Sequence, residues 1–161
     1  MLIRRELLQR IGGIERIRAE LIDDCSLAAS VRSAGGRVWL GLSPDTRSIR
    51  PYDGFGEIGR MVSRTAFTQL RYSAWLLAGT IIGLLLTYVA PPALALSGSW
   101  WGTMAWLLMA AAYFPATRFY RISPLWALTL PAIAIFYLAA TLASAVEYWR
   151  GRGGLWKGRM M

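Results

Sequence analysis

The sequence predicts an α-helical membrane protein with about three transmembrane helices, preceded by an incomplete α/β fragment and an interfacial amphipathic helix. Three observations carry that expectation. No charged residue occurs from Tyr72 to Thr117, nor from Ile122 to Val146, and a bilayer core about 30 Å thick takes about 20 apolar residues as helix. The charge is concentrated elsewhere: residues 1–71 hold 12 Arg and 8 Asp or Glu, whereas residues 72–161 hold only 6 Lys or Arg and one Glu. The charged head itself reads as strand, helix, helix, strand.

Composition excludes several chemistries. Of 161 residues 55% are hydrophobic and 17% charged, against roughly 25% charged in ordinary soluble domains; mean hydropathy is +0.39. With no His there is no Ser-His-Asp triad, no Cys-His pair and no His-ligated zinc. The single Cys25 closes no intramolecular disulfide and is expected to pack as a small apolar residue. Asn is absent, so there is no N-glycosylation sequon. Seventeen of the 18 basic residues are Arg, a usage associated with GC-rich bacterial genes. The opening MLIRRELLQR is charged from Arg4 onward and has no apolar core, so it is no signal peptide.

The segments divide as 1–52 for the α/β fragment, 53–72 for the amphipathic helix, 73–149 for the transmembrane helices and 150–161 for a basic tail. Within the third segment, helices are expected at about Ser73–Ala90, Trp100–Phe114 and Pro124–Tyr148, separated by Pro91-Pro92, by Ser97-Gly98-Ser99 and by the Arg118–Arg121 region. Trp75, Trp100, Trp101, Tyr120, Trp126, Tyr148 and Trp149 fall near the ends, where aromatic belts belong. Arg60, Arg64 and Arg71 before the first span place the head in the cytoplasm. Three crossings would put Arg150, Arg152, Lys157 and Arg159 outside, against that rule; a break at Pro131 into a re-entrant hairpin would return them, and both remain open. Gly79 and Gly83 form a GxxxG pair that permits close helix approach.

In the head, Met1-Leu2-Ile3 reads as a strand end, Arg4–Arg10 as a short helix stopped by Gly12-Gly13, and Ile14–Leu21 as a second helical stretch. Leu27, Ala28 and Val31 then recur at helical spacing behind Asp23-Asp24, Gly35-Gly36 ends that helix, and Arg37–Leu42 reads as a strand. Adjacent carboxylates repel, an arrangement suited to a general base. The competing explanation of Asp23-Asp24 is a helix cap and first-turn acid stabilised by the helix dipole.

Gly54-Phe55-Gly56-Glu57-Ile58-Gly59 matches GxGxxG, but no strand precedes it and a membrane span follows within about 20 residues, so a dinucleotide site is rejected. Glu57–Tyr72 reads as an amphipathic helix in the interface plane. Arg60, Arg64 and Arg71 share one face with Phe67, while Ile58, Met61, Val62 and Thr65 line another. The arginine face suits a phosphate or diphosphate, or equally anionic lipid headgroups.

The order of these features resembles the membrane-anchored family 2 glycosyltransferases. The elements are Arg4-Arg5-Glu6 with Gly12-Gly13, Asp23-Asp24 with Leu27, Gly36-Arg37-Val38, and Met61-Val62-Ser63-Arg64-Thr65 before the membrane spans. The runs LIDDCSLA (21–28), RMVSRTAFTQLRYS (60–73), RFYRISPLWAL (118–128) and WRGRGGLWKGR (149–159) resemble more closely the hopene-associated glycosyltransferases of bacterial hopanoid gene clusters. The resemblance implies that the head is a fragment of a GT-A fold. It implies that Asp24 is the base that deprotonates the acceptor hydroxyl in an inverting transfer, with Asp23 as the first acid of that motif. Arg64 matches the arginine of a Gln-x-x-Arg-Trp motif, with Met61 and Thr65 replacing its Gln and Trp; Arg60 and Arg71 join it as substrate-binding candidates.

The resemblance further implies a nucleotide-sugar donor, a lipid acceptor, membrane lipid as partner, and a divalent metal (Mg or Mn) in the complete enzyme; no cofactor is expected on this chain. No Asp-x-Asp occurs in the 161 residues, so the donor-binding half is expected upstream or on a separate chain, and the chain alone is expected not to turn over. The implied location is the bacterial inner membrane, multi-pass, with the N-terminal part cytoplasmic. A rival expectation is a non-catalytic membrane protein that binds anionic lipid or a protein partner. Nucleic-acid binding, suggested by a pI near 10.6, is set aside because membrane juxtaposition accounts for the charge.

Overall fold

The structure, a computed structural model, describes residues 2–18, 20, 22–46, 49, 52–152, 155–156 and 159–160. The expected strand residue Met1, the helical residues Ala19 and Leu21, and the basic-tail residue Lys157 lie outside the described residues. Two compact units are formed, one from Met1–Ser43 with Gly154–Met161, the other from Pro44–Gly153.

In the first unit, α1 (Arg5–Arg10) ends at Gly12 and Gly13, whose φ values of +89° and +74° turn the chain at no steric cost. A 3₁₀ turn over Ile14–Ile17 follows, and then α2 (Asp23–Ser33). Helix α2 closes with paired bonds, the N–H of Gly36 donating to Val31 O at 2.9 Å and that of Gly35 (φ +76°) to Arg32 O at 3.0 Å, the double bond pattern that satisfies orphan carbonyls at helix ends. The apolar periodicity buries Ile11, Ile17, Leu27 and Val31 against Ile3, Leu7, Leu8 and Ala34.

The expected α/β fragment does not form. Leu2-Ile3 and Arg37–Leu42 are not strands, and the strands among the described residues are β1 (Leu155–Trp156) and β2 (Arg159–Met160), two residues each, paired antiparallel with Leu155 opposite Met160. A strand exists only while its N–H and C=O groups find a ladder partner. Among the described residues Arg37–Leu42 finds none, and Val38, Trp39, Leu40 and Leu42 stand exposed. Among the described residues this unit is therefore helical apart from the short β1–β2 pair, and no GT-A-like α/β core is present.

In the second unit, α3 (Phe55–Gln69) is followed by α4 (Ala74–Leu84), a π-helical stretch at Leu85–Val89, and α5 (Ala90–Leu96). Helix α6 spans Trp100–Phe119, and a 3₁₀ segment over Pro124–Thr129 leads into α7 (Leu130–Trp149). Pro91-Pro92 does not split the first apolar helix as the sequence suggests. Both prolines follow directly on the π-helical stretch, and such a local change of register accommodates the carbonyls that a proline leaves without an N–H partner inside a continuous helix. Pro115 likewise lies inside α6, and Pro131 falls in the first turn of α7, leaving the chain helical from Pro124 to Trp149.

Among the described residues two helices, Ala74–Leu96 and Pro124–Trp149, are long and apolar enough to cross a membrane, where the sequence predicts about three. The middle helix α6 has length enough, but its three Trp, Tyr113, Pro115 and Arg118 lower its hydropathy. Only 6% and 22% of the two apolar segments are buried within the protein, the reverse of core helices in a soluble fold.

Helix α3 does not lie across these helices, as an interfacial helix would. A Cβ added at Gly59 would stand 3.5 Å from the Phe136 ring, and the N–H of Phe67 donates to Ser144 Oγ at 3.1 Å. Both contacts share a sequence offset of 77, so α3 runs parallel to α7 and alongside it. Phe67, at 1% exposure, fastens the pair together with Leu77 and Ala145. Helix α4 then returns antiparallel along α7, because Leu77 meets Ala145 while Leu85–Val89 still touches α7. Helices α5 and α6 form a tight hairpin over Gly102, where a Cβ would stand 2.5 Å from the backbone N of Ala95.

Candidate functional site

The two groups of candidate residues lie in different units, and each is built locally. Asp23 and Asp24 open α2, behind Ile22 at the N-cap position. The N–H of Asp24 donates to Asp23 Oδ1 at 2.9 Å, and the N–H of Cys25 donates to Asp24 Oδ1 at 2.8 Å. Two of the four orphan donors at the helix start are thereby satisfied, and both carboxylates gain from the positive end of the helix dipole. Ser26 adds a bond from its hydroxyl to Glu20 Oε2 at 3.2 Å. Both Asp side chains are exposed, so an acceptor hydroxyl has access to either.

Cys25 is exposed rather than packed as a small apolar residue. Desolvation by the surrounding chain, then the Asp24 charge and a hydrogen bond to that carboxylate, push its thiol above the ordinary value. Its thiolate is disfavoured, which is the wrong direction for a nucleophile.

The three arginines do not share one helix face. Helix α3 stops at Gln69, and Arg71 stands in the turn beyond it at φ +50°, next to Tyr72 at φ +56°. Arg71 N–H donates to Thr68 O at 2.9 Å and Tyr72 N–H to Phe67 O at 3.1 Å, so Arg71 occupies the left-handed capping position that Gly35 occupies at the end of α2. Arg60 and Arg64 remain four residues apart on α3. Arg60 is exposed and lies 4.0 Å from Glu57, a surface pair of little energetic weight. Arg64 is half-buried, with its Nε atom fully enclosed.

The face expected to carry arginine also carries the most deeply buried large side chain of α3. Phe67 sits edge-on to Tyr72, Tyr148 and Trp149, with centroid separations of 5.8, 5.4 and 5.6 Å, and Tyr72 stacks on Tyr148 at 4.3 Å. Two of the residues assigned from sequence to an aromatic belt, Tyr148 and Trp149, thus also close over α3. Sequence reasoning missed Ser144, which is 6% exposed and accepts the Phe67 N–H. A hydroxyl inside an otherwise apolar run was the available signal.

A divalent metal, implied by the resemblance for the complete enzyme, finds no fit here. Among the described residues no three His, Cys, Asp or Glu stand together to hold an ion, and both Asp23 and Asp24 spend an oxygen on backbone N–H groups.

The sequence model of glycosyl transferase family 21 matches residues 1–153. That family bears a different number from the one the motifs resemble; glycosyl transfer is what the two share. No curated protein and no solved structure matches the chain.

Proposed function

The chain belongs to glycosyl transferase family 21, and on that premise we propose that it is the acceptor-side and membrane part of an inverting glycosyltransferase. The donor is a nucleotide sugar, and the acceptor is a membrane lipid carrying a hydroxyl. Resemblance of four sequence runs to hopene-associated enzymes supports a hopanoid or other lipid-linked acceptor, on the cytoplasmic side of a bacterial inner membrane. The observation that carries the reading is Asp24, an exposed carboxylate in the first turn of α2, within the span of the family match.

In this reading Asp24 accepts the proton of the acceptor hydroxyl as that oxygen forms its bond to the anomeric carbon. The bond from that carbon to the leaving diphosphate breaks, and the electron pair departs with the diphosphate. Asp23 holds the turn through its bond from the Asp24 N–H. Arg60, Arg64 and Arg71 supply guanidinium groups suited to phosphate oxygens. The donor-binding part, with any Asp-x-Asp motif, lies outside these 161 residues or on a second chain.

The test restores the gene to a deletion strain of its host and follows transfer of labelled sugar from nucleotide donors into extracted lipid. Wild type restores transfer, and Asp24→Asn lowers it by about 10²–10⁴-fold, the usual contribution of a positioned base. Undiminished transfer by Asp24→Asn removes that residue from the role. The capping bonds of Asp23 and Asp24 favour a second reading, a non-catalytic membrane protein that binds anionic lipid or a partner; lipid glycosylation unchanged by the deletion itself would select it.

A further inference from the structure

We infer that the start of the first apolar helix and the end of the second lie at one membrane face, where Arg71, Arg150 and Arg152 form a basic collar for the phosphates of anionic lipid headgroups. This rests on the membrane part of the proposed function and is independent of the role of Asp24. Its basis is the Tyr72–Tyr148 stack, 4.3 Å between centroids and 18° between planes. Tyr72 lies two residues before the first apolar helix, and Tyr148 is one residue from the end of the second. Since α4 returns antiparallel along α7, those two ends meet.

Apart from the buried Phe67, which is edge-on to both rings, the residues flanking the stack carry the chemistry of an interface. Tyr72, Tyr148 and Trp149 are 42%, 42% and 59% exposed, amphipathic rings of the kind that sit at headgroup level. Arg71 is the residue just before the first ring, and Arg150 and Arg152 follow the last. Among the described residues neither Arg71 nor Arg150 makes an ion pair, while Arg152 is held 3.2 Å from Glu147.

Arg71 also occupies a position where glycine would relax the backbone. Helices α2, α5 and α7 close with Gly35, Gly98 and Gly151 in the same left-handed position, whereas α3 and α6, the helices on either side of the first apolar segment, place arginines there, Arg71 at φ +50° and Arg121 at φ +54°. The arrangement also removes the conflict raised by three crossings, which would separate Arg71 from Arg150 and Arg152. With the two apolar helices antiparallel, these three share a side, and the two arginines ahead of the second helix, Arg118 and Arg121, face the other.

The test uses the full chain in bacterial membranes, in a Cys25→Ser background, with single cysteines at Gln69→Cys, Ser97→Cys and Glu147→Cys. An impermeant maleimide is applied to spheroplasts and to inverted vesicles. Gln69→Cys and Glu147→Cys are expected to label in the same preparation and Ser97→Cys in the other. Labelling of Gln69→Cys and Glu147→Cys from opposite sides, or of all three from one side, overturns the inference.

Lipid chemistry is read separately on detergent-solubilised protein, as the thermal midpoint during titration with phosphatidylglycerol, phosphatidylcholine or inorganic phosphate. Only phosphatidylglycerol should raise it. The variant combining Arg71→Gly, Arg150→Gln and Arg152→Gln should weaken that response by on the order of a hundredfold, about fivefold for each basic residue removed from an anionic surface. Arg71→Gly is chosen because glycine suits φ +50°, so loss of response cannot be charged to that turn. An undiminished response, or an equal response to free phosphate, refutes the collar.

Discussion

Replacing Phe67 by alanine tests the α3–α7 pairing, because this ring is the most buried side chain of α3. Phe67 is 1% exposed and is packed with Leu77 and Ala145. Truncating a buried Phe costs about 3–5 kcal/mol, transfer and cavity terms together. Three edge-on aromatic neighbours at 5.4–5.8 Å put this site in the upper part of that range, since each such pair adds about 0.5–1.5 kcal/mol beyond area burial. The Phe67 donor to Ser144 is its backbone N–H, so that bond need not be lost, and we expect about 4–5 kcal/mol. Phe67→Leu keeps much of the bulk and should cost about half as much. The assay is denaturant unfolding in detergent followed by far-UV circular dichroism, with amide exchange over Phe55–Gln69 as the local readout. Met61→Ala, on the same helix but 39% exposed, serves as the control and should stay within about 0.5 kcal/mol of wild type. If Phe67→Ala costs less than about 1 kcal/mol, or no more than the control, α3 is not held against α7 as described.

Gly102→Ala should open the α5–α6 hairpin, because its Cβ would stand 2.5 Å from Ala95 N and 2.6 Å from Leu94 Cβ; overpacking of this kind costs about 1–3 kcal/mol, read as a lowered unfolding midpoint, and an unchanged midpoint would show that the hairpin is loose. Alkylation of Cys25 should be slower at mildly alkaline pH than that of a free cysteine, because its raised pKa delays thiolate formation as pH increases. Asp24→Asn removes a charge and a hydrogen bond that oppose the thiolate, so the reaction should quicken at fixed pH; a rate indifferent to this change would separate the two side chains.

Helix positions were legible in the sequence where local chemistry decides them. Gly12-Gly13 and Gly35 end helices because the turn needs positive φ, and Leu27 and Val31 are buried where helical spacing puts them. The left-handed Arg71 was not legible, since nothing local distinguishes arginine within a helix from arginine just past its end. The same gap placed Arg60, Arg64 and Arg71 on one face. For Asp23-Asp24 the sequence supplied both explanations, base and cap, and the structure adds the capping bonds without removing access to the carboxylates.

By itself, then, the sequence determined where charge and apolar length lie, which chemistries are absent, and where most helices begin and end. These depend on composition and on neighbours within a few residues. Only tertiary structure decided that Arg37–Leu42 is no strand, that α3 runs along α7, and that the start of the first apolar helix meets the end of the second at Tyr72 and Tyr148. Each of those outcomes depends on a partner distant in sequence. A strand needs a ladder, and an amphipathic face packs against whichever surface is nearest once the chain has folded; neither is encoded in the segment that carries it.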